Sequence, residues 1–570
     1  ARPHPPTPLV WFALTDHPPT RIGPAATSTT ATAPATRGAA HAAQAAVGGW
    51  RLDTTRAEYT TRFDAVRAAI AAGETYQCNL SARMTGLACD TTPEALFGYY
   101  RSLLRNQGGD NGAWLVTDRF AVASASPESF FEWRGDEIRC TPMKGTSPRG
   151  PDSASDEVLR RALLASAKDR AENVMIVDLM RNDLSRIAAP GSVQVPALLA
   201  CERYATLWQL TSTITARIER EASLAGILAA LFPCGSVTGA PKARTMELIA
   251  QLETSPRGLY CGAIGWLAPP GHAVRARFNV AIRTVVVDRT TGRAEYGVGG
   301  GITWGSSAEG EFAEILAKTA VLRDPPEEDF SLIETLREHD GRPVHLTEHL
   351  ARLRASAHYF GFPLEEDEIR ARLAAATAPG NPDDPDNPGD PGNPGNPPRR
   401  DGRGGLHGDR RLRIALDRHG RCTITVGAAP KRASRPRTLA IDTPRIDPRS
   451  RWLRHKTTLR AVYAAARERH PEADDTVLVN TNGNITETSI ANIVVRLAGL
   501  WFTPPVADGC LPGVGRGRLI ADGIVQERSL SIADLRRADA IAVVSSLRGW
   551  LPAVLADPSG EFDAQLHLDR

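Results

Sequence analysis

Apolar residues recur along this chain with two different periods, one typical of helices and the other of strands. Tyr59, Phe63 and Val66 follow helical spacing, so the pattern predicts a helix over Arg56–Ala72. Short runs rich in β-branched and aromatic residues instead predict strands. In the first half these runs are Glu74–Leu80, Ala113–Val116, Phe120–Ser124, Ser129–Trp133, Tyr260–Trp266 and Phe278–Val287.

Longer helical patterns alternate with these strands, and the same mixture continues in the second half. The spacing predicts one long helix over Asp156–Leu184 and an amphipathic helix over His345–Phe360. Further strands are predicted at Leu412–Asp417, Cys422–Val426, Thr476–Asn480, Ile493–Val495 and Ala540–Ser545. Helices and strands are therefore interspersed throughout, which predicts an α+β protein.

The length of 570 residues exceeds what one hydrophobic core usually supports, so we expect at least two domains. We expect a short, partly mobile N-terminal segment over residues 1–50, a first domain over residues 51–324 and a second over residues 330–570. A tract of Pro, Gly, Asp and Asn over residues 378–405 predicts a disordered insertion within the second domain. We assign it there because the helices before it and the strands after it need one another.

Charge and composition give no support for a nucleic-acid-binding, membrane or secreted protein. The net charge of +3 gives no electrostatic argument for binding nucleic acid or a membrane surface. No apolar run reaches membrane-spanning length, and no N-terminal stretch resembles a secretory signal. The eight cysteines are scattered without a CxxC pair, which favours reduced thiols in a cytoplasmic protein.

One lysine stands out because of its flanking residues. Lys144 follows Pro142 and precedes Gly145, which predicts a rigid turn between strands. A lysine held in this way can be aimed into a cleft, where desolvation would lower its pKa and make it a nucleophile. Taken alone, the residue fits a solvated surface lysine better, because lysines are mostly exposed.

Two further groups of residues suggest binding sites. Glu172, Glu311 and Glu314 lie on two predicted helices, and their carboxylates could hold Mg²⁺, although solvated helix faces would give the same pattern. In the second half, Lys456, Glu487 and the Gly-rich stretch Gly509–Leu519 are the parts that a pyridoxal phosphate site needs. A solvated lysine beside Arg454 is the simpler alternative.

Eight segments of the first half, in order, resemble the chorismate-utilising enzymes. They are ETYQCNL (74–80), ASPESFF (125–131), TPMKGTSPRG (141–150), KDRAENVMIVDLMRNDL (168–184), FPCGSVTGAPK (232–242), YCGAIGW (260–266), FNVAIRT (278–284) and GVGGGITWGSSAEGEFAEILAK (297–318). The resemblance covers about Arg56–Arg323 and implies a chorismate-binding domain built as a two-sheet α/β sandwich.

Two positions distinguish the branches of this family. Members that add water resemble one another in carrying a lysine base where this chain has Gln77. Anthranilate synthases carry alanine where this chain has Lys144. A lysine at this position makes the chain resemble the aminodeoxychorismate synthases instead. The resemblance implies amination of chorismate at C4 through a covalent adduct of Lys144. Gln209 is a departure, because anthranilate synthases have histidine there.

The resemblance also implies roles for other residues. Glu128 is the implied general acid, and Glu172 and Glu314 are the implied Mg²⁺ ligands, supported by Glu311. The implied substrate-binding residues are Tyr260, Arg283, Thr238, Gly299, Gly300, Gly301 and Lys318. No glutaminase-type G-x-C-x-G turn occurs in the sequence, so we expect ammonia from a separate glutamine amidotransferase subunit or from solution.

The second half, over about Phe330–Pro552, resembles the fold-type IV pyridoxal phosphate enzymes, aminodeoxychorismate lyase in particular. The resemblance implies that Lys456 holds the cofactor covalently and that Glu487 faces its ring nitrogen. Thr335 is the implied residue near the reacting centre, and a homodimer through this domain is implied as well. The implied phosphate contacts are Arg352, Val514, Gly515 and Ser546.

Together the two resemblances predict a bifunctional enzyme that makes p-aminobenzoate and pyruvate from chorismate and ammonia. Two other hypotheses remain open on the sequence. One is an anthranilate-synthase-like domain joined to an aminotransferase-like domain, and the other is a non-catalytic scaffold for a glutaminase.

Overall fold

The structure is a computed structural model that describes residues 47–556 apart from 109, 205–206, 219–221, 323–328, 379–408 and 431–432, together with residues 13 and 15. The chain divides into two compact units, residues 1–149 with 159–327, and residues 150–158 with 328–570. The expected mobile segment (1–50) and disordered insertion (378–405) lie almost wholly outside the described residues.

The strands of the first half carry some of the predicted site residues, Lys144 and Gly299–Gly301 among them. They are β1 (Val47–Leu52), β2 (Gln77–Ala88), β3 (Ala113–Val116), β4 (Phe120–Ser124), β5 (Ser129–Arg134), β6 (Glu137–Thr141), β7 (Met143–Pro148), β8 (Gln194–Arg203), β9 (Leu207–Arg217), β10 (Gly239–Ala240), β11 (Ala263–Leu267), β12 (Ala276–Val280), β13 (Thr284–Asp288) and β14 (Arg293–Ile302). The helices are α1 (Arg56–Ala71), α2 (Pro93–Gln107), α3 (Ser153–Ala165), α4 (Ala167–Ser185), α5 (Leu224–Leu231), α6 (Lys242–Leu252) and α7 (Ala308–Thr319).

Two seven-stranded antiparallel sheets form the first unit. One has the order β1-β2-β14-β13-β4-β3, with β10 added to β2, and the other has the order β11-β12-β5-β6-β9-β7, with β8 paired to β9. Each sheet has its own apolar cluster: α1, α2, α6 and α7 contribute to the first, and α4 and α5 to the second. The expected mixed α+β fold is confirmed.

The long helix predicted over Asp156–Leu184 is wrong, because the chain forms two helices there. Ser166 separates α3 from α4, and its hydroxyl accepts a hydrogen bond from the Asp169 N–H. A serine in this position caps a new helix and satisfies an N–H that would otherwise lack a partner. The apolar spacing continues across Ser166, so periodicity alone did not reveal the break.

The single strand predicted over Phe278–Val287 is also wrong. β12 pairs with β5 in one sheet, whereas β13 pairs with β4 in the other. Arg283 lies between them with a φ of 51°, an uncommon backbone conformation for a residue with a side chain. The segment therefore carries the chain from one sheet to the other, with Arg283 at the crossing.

The second unit contains two sheets. Its strands are β15 (Leu332–His339), β16 (Arg342–Pro343), β17 (Arg410–Leu416), β18 (Cys422–Ala428), β19 (Arg437–Ile446), β20 (Asp475–Asn480), β21 (Ile485–Thr488), β22 (Asn492–Leu497), β23 (Leu500–Thr503), β24 (Gln526–Glu527), β25 (Ala540–Ser545) and β26 (Gly549–Leu555). Its helices are α8 (Leu346–Phe360), α9 (Glu366–Thr377), α10 (Arg451–Arg454), α11 (Ala461–Arg469), α12 (Val514–Ala521) and α13 (Ile532–Arg536).

The smaller sheet of this unit has the order β16-β15-β17-β18, and the larger has the order β21-β20-β19-β26-β25-β22-β23-β24. β15 precedes residues 379–408 and β17 follows them, and the two strands pair over seven residues from Leu332↔Leu416 to Glu338↔Arg410. The apolar residues of α8 and α9 pack on this smaller sheet. Among the described helices of the whole chain, none is long and apolar enough to cross a membrane.

Candidate active sites

Three consecutive glycines of β14 form the floor of the first candidate site. A methyl group on Gly301 would collide with the Gln77 amide and lie 2.8 Å from Lys144 Nζ. One on Gly300 would lie 2.7 Å from Glu311 Oε2 and 3.9 Å from Glu314 Oε1. The absence of side chains at these glycines therefore lets an amine, an amide and two carboxylates approach the backbone of β14 closely.

Lys144 does not lie on a turn, as the sequence predicted, but inside strand β7. Met143 pairs with Thr211 of β9, and Thr146 pairs with Gln209, so two residues of β7 face a single residue of β9. This is a β-bulge, which re-aims a side chain locally. Gly145 has a φ of +91°, which glycine adopts without strain.

Glu128 is buried at the start of β5, where the hydroxyl of Ser236 donates a 2.7 Å hydrogen bond to its Oε1. Burial raises the pKa of Glu128 to about 7, although Ser236 and Lys144 act in the opposite direction. A carboxyl group with this pKa holds a proton at neutral pH for part of the time and can donate it. The sequence analysis missed Ser236, although it lies in the quoted FPCGSVTGAPK segment.

The predicted metal ligands lie on two helices, Glu172 on α4 and Glu311 and Glu314 on α7. The Lys168 ammonium lies 3.9 Å from both Glu172 Oε1 and Glu311 Oε1. Burial raises the pKa values of Glu172 and Glu311, and Glu314 raises that of Glu311 further. The three carboxylates are the hard oxygen donors that Mg²⁺ prefers, and Lys168 already places a cation between two of them.

As they stand, these carboxylates are spread out. Among the described residues, no group of three or more His, Cys, Asp or Glu side chains is close enough to hold a metal ion. Thr303 donates a 3.1 Å hydrogen bond to Glu172, and Ser306 donates a 2.7 Å bond to Glu311. The donor set fits Mg²⁺ in kind, and these carboxylates would have to move closer together to bind it.

Lys318 links the metal candidates to the glycine floor. Its Nζ donates a 2.8 Å hydrogen bond to the Gly299 carbonyl and lies 2.6 Å from Glu314 Oε1. Burial lowers the pKa of Lys318. Burial alone would raise the pKa of Glu314. The charge and hydrogen bond of Lys318, together with the charges of Lys144 and Lys168, outweigh it and lower that pKa.

The remaining predicted substrate contacts border this region. Arg283 Nη1 donates a 3.5 Å hydrogen bond to the Lys318 carbonyl. Tyr260 is buried with its ring against Gly297, and its hydroxyl accepts a 3.4 Å bond from Ser81. Thr238 is buried and uses its hydroxyl within its own loop, at 2.9 Å from the Cys234 carbonyl.

The second candidate site is a cavity of about 290 Å³ in the second unit. Six residues predicted from the sequence line it together: Thr335, Arg352, Lys456, Glu487, Val514 and Ser546. Gly515 lies beside it, because a methyl group there would come within 3.1 Å of the Ser546 N–H nitrogen. The structure therefore brings together residues that lie up to 211 positions apart in the sequence.

Lys456 follows α10 and is fixed through its backbone, whose carbonyl accepts a 2.9 Å hydrogen bond from the Ile333 N–H of β15. Burial lowers the pKa of Lys456 to about 8, and the nearby Arg352 lowers it further. A lysine with a lowered pKa is more often in the free amine form, which can react with an aldehyde.

Glu487 is buried in the lining of the same cavity. The Tyr463 hydroxyl donates a 2.7 Å hydrogen bond to Oε1, and Asn492 Nδ2 donates a 3.3 Å bond to Oε2. Burial raises the pKa of Glu487 to about 7. This carboxylate could therefore share a proton with a ring nitrogen placed against it. The sequence analysis missed Tyr463 and Asn492.

A ready anion site lies at the start of α12. Gly513 precedes the helix, and no side chain caps the first N–H groups. Ser546 lies nearby, bonded at 2.8 Å to His349 Nε2, and Arg352 Nη1 donates a 3.0 Å bond to the Pro512 carbonyl. Uncapped helix N–H groups beside a hydroxyl and a guanidinium fit a phosphate. Arg352 also forms a two-point ion pair with Glu334, which lowers the pKa of that carboxyl to about 2 despite burial.

Several arginines of this cavity were not predicted. Arg411 and Arg413 lie on β17, and Arg413 pairs directly with Thr335 of β15. Opposite residues in a ladder share a face of the sheet, so the two arginines extend the wall that carries Thr335. Burial lowers the pKa of Arg548, and nearby Arg437 and Arg411 lower it further. The cavity is thus strongly cationic, and the alternation of Arg411, Leu412 and Arg413 could have indicated it.

Comparisons with known proteins give one family match in each half of the chain. Residues 13–324 match the chorismate binding enzyme family, and residues 331–555 match the class IV amino-transferase family. Aminodeoxychorismate synthase component 1 of Klebsiella aerogenes is 40% identical over 269 residues, which cover 47% of this chain and 58% of that protein. Anthranilate synthase component 1 of Streptomyces coelicolor is 37% identical over 282 residues, which cover 48% of this chain and 52% of that protein.

Among solved structures, a putative 4-amino-4-deoxychorismate lyase from Legionella pneumophila is 23% identical, with a TM-score of 0.34 over 40% of this chain and 83% of that one. The chain spans less than two thirds of the length of the two synthase relatives above. The first family match nevertheless covers more than half of the chain, and it includes the glycine floor, Lys144 and Glu128. This chain therefore belongs to the chorismate binding enzyme family, and it carries a class IV amino-transferase region after that domain.

Proposed function

We propose that this chain converts chorismate to p-aminobenzoate in two steps, amination at C4 followed by elimination of pyruvate. The observation that carries the proposal is the meeting of Lys144 and Gln77 at Gly301. An amine there can act as a nucleophile, whereas the amide of Gln77 cannot serve as a base that activates water. The site therefore favours attack by nitrogen over attack by water.

In the first step, Lys144 Nζ forms a bond to C2 of chorismate while the bond between C4 and its hydroxyl oxygen breaks. Glu128 donates a proton to the departing oxygen, as its raised pKa permits. Ammonia then forms the bond to C4, the bond between C2 and Lys144 breaks, and Lys144 leaves as the amine. Two displacements replace one difficult exchange.

The anionic groups of the substrate need partners during this exchange. Arg283 and Tyr260 are proposed to hold the enolpyruvyl carboxylate, and Thr238, Lys318 and the Gly299–Gly301 backbone to complete the anion site. Glu172, Glu314 and Glu311 would hold Mg²⁺. When bound there, Mg²⁺ supplies positive charge that neutralises the ring carboxylate.

The second step is assigned to the cavity around Lys456. Pyridoxal phosphate bound there supplies an electron sink for the carbon that bears the amino group. Lys456 would hold the cofactor and then remove the proton from C4 of the substrate, and pyruvate leaves from C3. Glu487 would face the ring nitrogen, and Arg352, Ser546 and the first turn of α12 would hold the phosphate.

The intermediate carries two carboxylates, and Arg411 and Arg413 are proposed to bind them. Both guanidiniums line the cavity on the face that carries Thr335. Arginine forms paired hydrogen bonds with a carboxylate, which fixes orientation as well as charge. This would place C4 of the ring close to Lys456.

The source of ammonia is proposed to be a separate glutamine amidotransferase subunit or free ammonia. A homodimer through residues 330–570 and a cytoplasmic location are further expectations from the sequence resemblance. Sedimentation of the purified chain, and activity with glutamine compared with ammonium, would test the dimer and the ammonia source.

The direct experiment incubates the chain with chorismate, ammonium, Mg²⁺ and pyridoxal phosphate and identifies the products. We expect p-aminobenzoate and pyruvate in equal amounts. Formation of o-aminobenzoate would favour an anthranilate synthase instead, and no turnover at all would favour a scaffold.

Each lysine variant serves as the control for the other, because each should block only one of the two steps. Lys144→Ala should abolish amination but leave elimination from supplied aminodeoxychorismate, and Lys456→Ala should let aminodeoxychorismate accumulate. If either variant still makes p-aminobenzoate from chorismate at the wild-type rate, the role assigned to that lysine is wrong.

A further inference from the structure

The bulge at Lys144 interrupts the regular ladder between β7 and β9. Lys144 and Gly145 together face Leu210, which is fully buried. In a bulge the extra residue leaves backbone groups without their ladder partners. Buried carbonyls in that position need hydrogen bonds from elsewhere.

Two buried amide side chains supply those hydrogen bonds. Asn173 Nδ2 donates to the Lys144 carbonyl at 3.2 Å, and Gln209 Nε2 donates to the Gly145 carbonyl at 2.8 Å. Asn173 is 1% exposed and Gln209 is 7% exposed. The two carbonyls that flank the bulge are therefore held from two different elements, helix α4 and strand β9.

The other end of each amide is also engaged. Gln209 Oε1 accepts a 3.0 Å hydrogen bond from the Thr146 hydroxyl, and Asn173 Oδ1 accepts a 2.6 Å bond from the Ser212 hydroxyl. Rotation would lose two hydrogen bonds at Gln209 and three at Asn173, since Asn173 Nδ2 also donates to the Leu210 carbonyl at 3.3 Å. The backbone on both sides of the Lys144–Gly145 peptide is consequently fixed in one conformation.

We infer that Gln209 and Asn173 are positioning residues that aim the Lys144 amine at its substrate carbon, which rests on the proposed function of Lys144. The Lys144 side chain reaches Gly301 from a strand whose ladder is interrupted at the bulge, and without the two amides that strand could shift. A fixed bulge removes that freedom, and a small misplacement of a nucleophile is costly in rate. This assigns a role to the position at which the resembled anthranilate synthases have histidine.

The test replaces Gln209 by methionine, which has similar length and no hydrogen-bonding amide. We expect kcat for amination with ammonium to fall about 10- to 100-fold, while KM for chorismate changes less than twofold. In the absence of ammonia, the rate at which the Lys144 adduct accumulates should fall by the same factor, measured by intact-protein mass.

Three controls keep the result interpretable. Gln209→Glu keeps the acceptor for Thr146 but removes the donor to Gly145, so it should be as slow as Gln209→Met. Thr146→Val keeps the donor and should lose far less. Elimination from supplied aminodeoxychorismate, catalysed by the second unit of the same chain, should stay at the wild-type rate in all three.

The outcomes separate this inference from the proposed function. If Lys144→Ala still aminates chorismate at the wild-type rate, the role proposed for Lys144 fails whatever Gln209 does. If Lys144→Ala is inactive but Gln209→Met keeps the wild-type kcat and adduct rate, the positioning role is overturned and the function of Lys144 stands. A Gln209→Met variant that raises KM with unchanged kcat would also overturn it.

Discussion

The protonation state of Glu128 is determined mainly by the residues packed around it. It is buried, accepts one hydrogen bond from Ser236 and has a pKa raised to about 7. An exposed glutamate would be fully ionised at neutral pH and could not donate a proton. The apolar packing around β5 therefore gives this residue the protonation state that a general acid needs.

The first prediction follows from this pKa. Because the proposed general-acid role requires Glu128 to hold its proton, kcat/KM for amination should have a limb that descends as pH rises through about 7. The limb should be missing from the residual activity of Glu128→Gln. A pH–rate profile with ammonia as the nitrogen donor measures both. An identical descending limb in the variant would exclude Glu128 as its source.

A second prediction concerns stability. The folded pKa of about 7 lies above the reference value of 4.5, so the stabilisation from the bound proton is present below about 4.5 and is lost as pH rises through about 7. Glu128→Gln should therefore gain stability relative to the wild type between pH 4.5 and 8, by at most about 3 kcal/mol.

Thermal unfolding at pH 5 and pH 8 would measure this gain. Glu137→Gln on β6 is the matched control, because Glu137 is exposed and its substitution should give the same difference at both pH values. If the stability of Glu128→Gln relative to the wild type were lower at pH 8 than at pH 5, the raised pKa of Glu128 would be contradicted.

The sequence identified several site residues but could not reveal their partners. Lys144 and Glu128 lie in short segments whose resemblance pointed to them directly. Ser236 lies in another of the quoted segments, and Gln209 was noted only as a departure from the anthranilate synthases. Their contacts depend on strand register and on loops that come from far along the chain. Those distances arise only when the two sheets form, so local pattern carries no signal for them.

At the level of elements, the bulge in β7 makes Gly145 a sensitive position. A methyl group there would lie 3.0 Å from the Asp169 Cβ and 3.1 Å from Leu210 Cδ1, and its φ of +91° suits glycine alone. We predict that Gly145→Ala costs about 1–3 kcal/mol and strongly slows amination, since it shifts Lys144.

Thermal unfolding and amination kinetics would check this prediction. Gly135→Ala is a matched control, because Gly135 also has a positive φ but a methyl group there meets nothing within 4 Å. Equal loss of amination in the two variants would show that crowding at the bulge is unimportant.

The pairing of β15 with β17 gives a fourth prediction. Arg413→Gln removes one of the two guanidiniums on the face that carries Thr335. We expect KM for aminodeoxychorismate to rise about 10- to 100-fold, the range for a lost charge-assisted hydrogen bond. The bound pyridoxal phosphate, measured by absorbance, should be unchanged.

Arg445→Gln is the control for this variant, since Arg445 is an exposed arginine of β19. It should leave KM at the wild-type value. A wild-type KM in Arg413→Gln would exclude this side chain from substrate binding.

Element boundaries were the weaker part of the sequence-based interpretation. Helix α1 was predicted to within one residue, because its buried Tyr59, Phe63 and Val66 follow a single face and Thr55 caps it. The breaks at Ser166 and Arg283 were missed. Both depend on tertiary context, since the flanking segments have apolar patterns that would suit one continuous element.

For the whole molecule, the two proposed sites imply that amination needs a metal ion and that elimination needs pyridoxal phosphate. We predict that a metal chelator stops amination but leaves elimination from supplied aminodeoxychorismate intact. Protein freed of pyridoxal phosphate should behave in the opposite way and release aminodeoxychorismate. Product analysis by chromatography measures both. Loss of both steps on chelation would mean that the metal is needed beyond the carboxylates of the first unit.

The α+β class and the two family regions could be read from the sequence because each region carries many ordered motifs. The division of the chain is less simple than the sequence suggested, since residues 150–158 group with the second unit although they lie inside the first family region. The composition of these nine residues does not mark a domain boundary. Their place in the second unit follows from packing alone.

The side chain of Arg410 on β17 contacts two elements that precede residues 379–408 in the chain. It forms a buried ion pair with Glu338 at 2.9 Å and donates a 3.4 Å hydrogen bond to the Thr377 carbonyl, so it binds both the strand and the helix that precede residues 379–408. The polypeptide on either side of that stretch is consequently joined without it. A single cut of the polypeptide between Thr377 and Arg410 should thus leave two pieces that co-elute and retain the elimination proposed for the second unit.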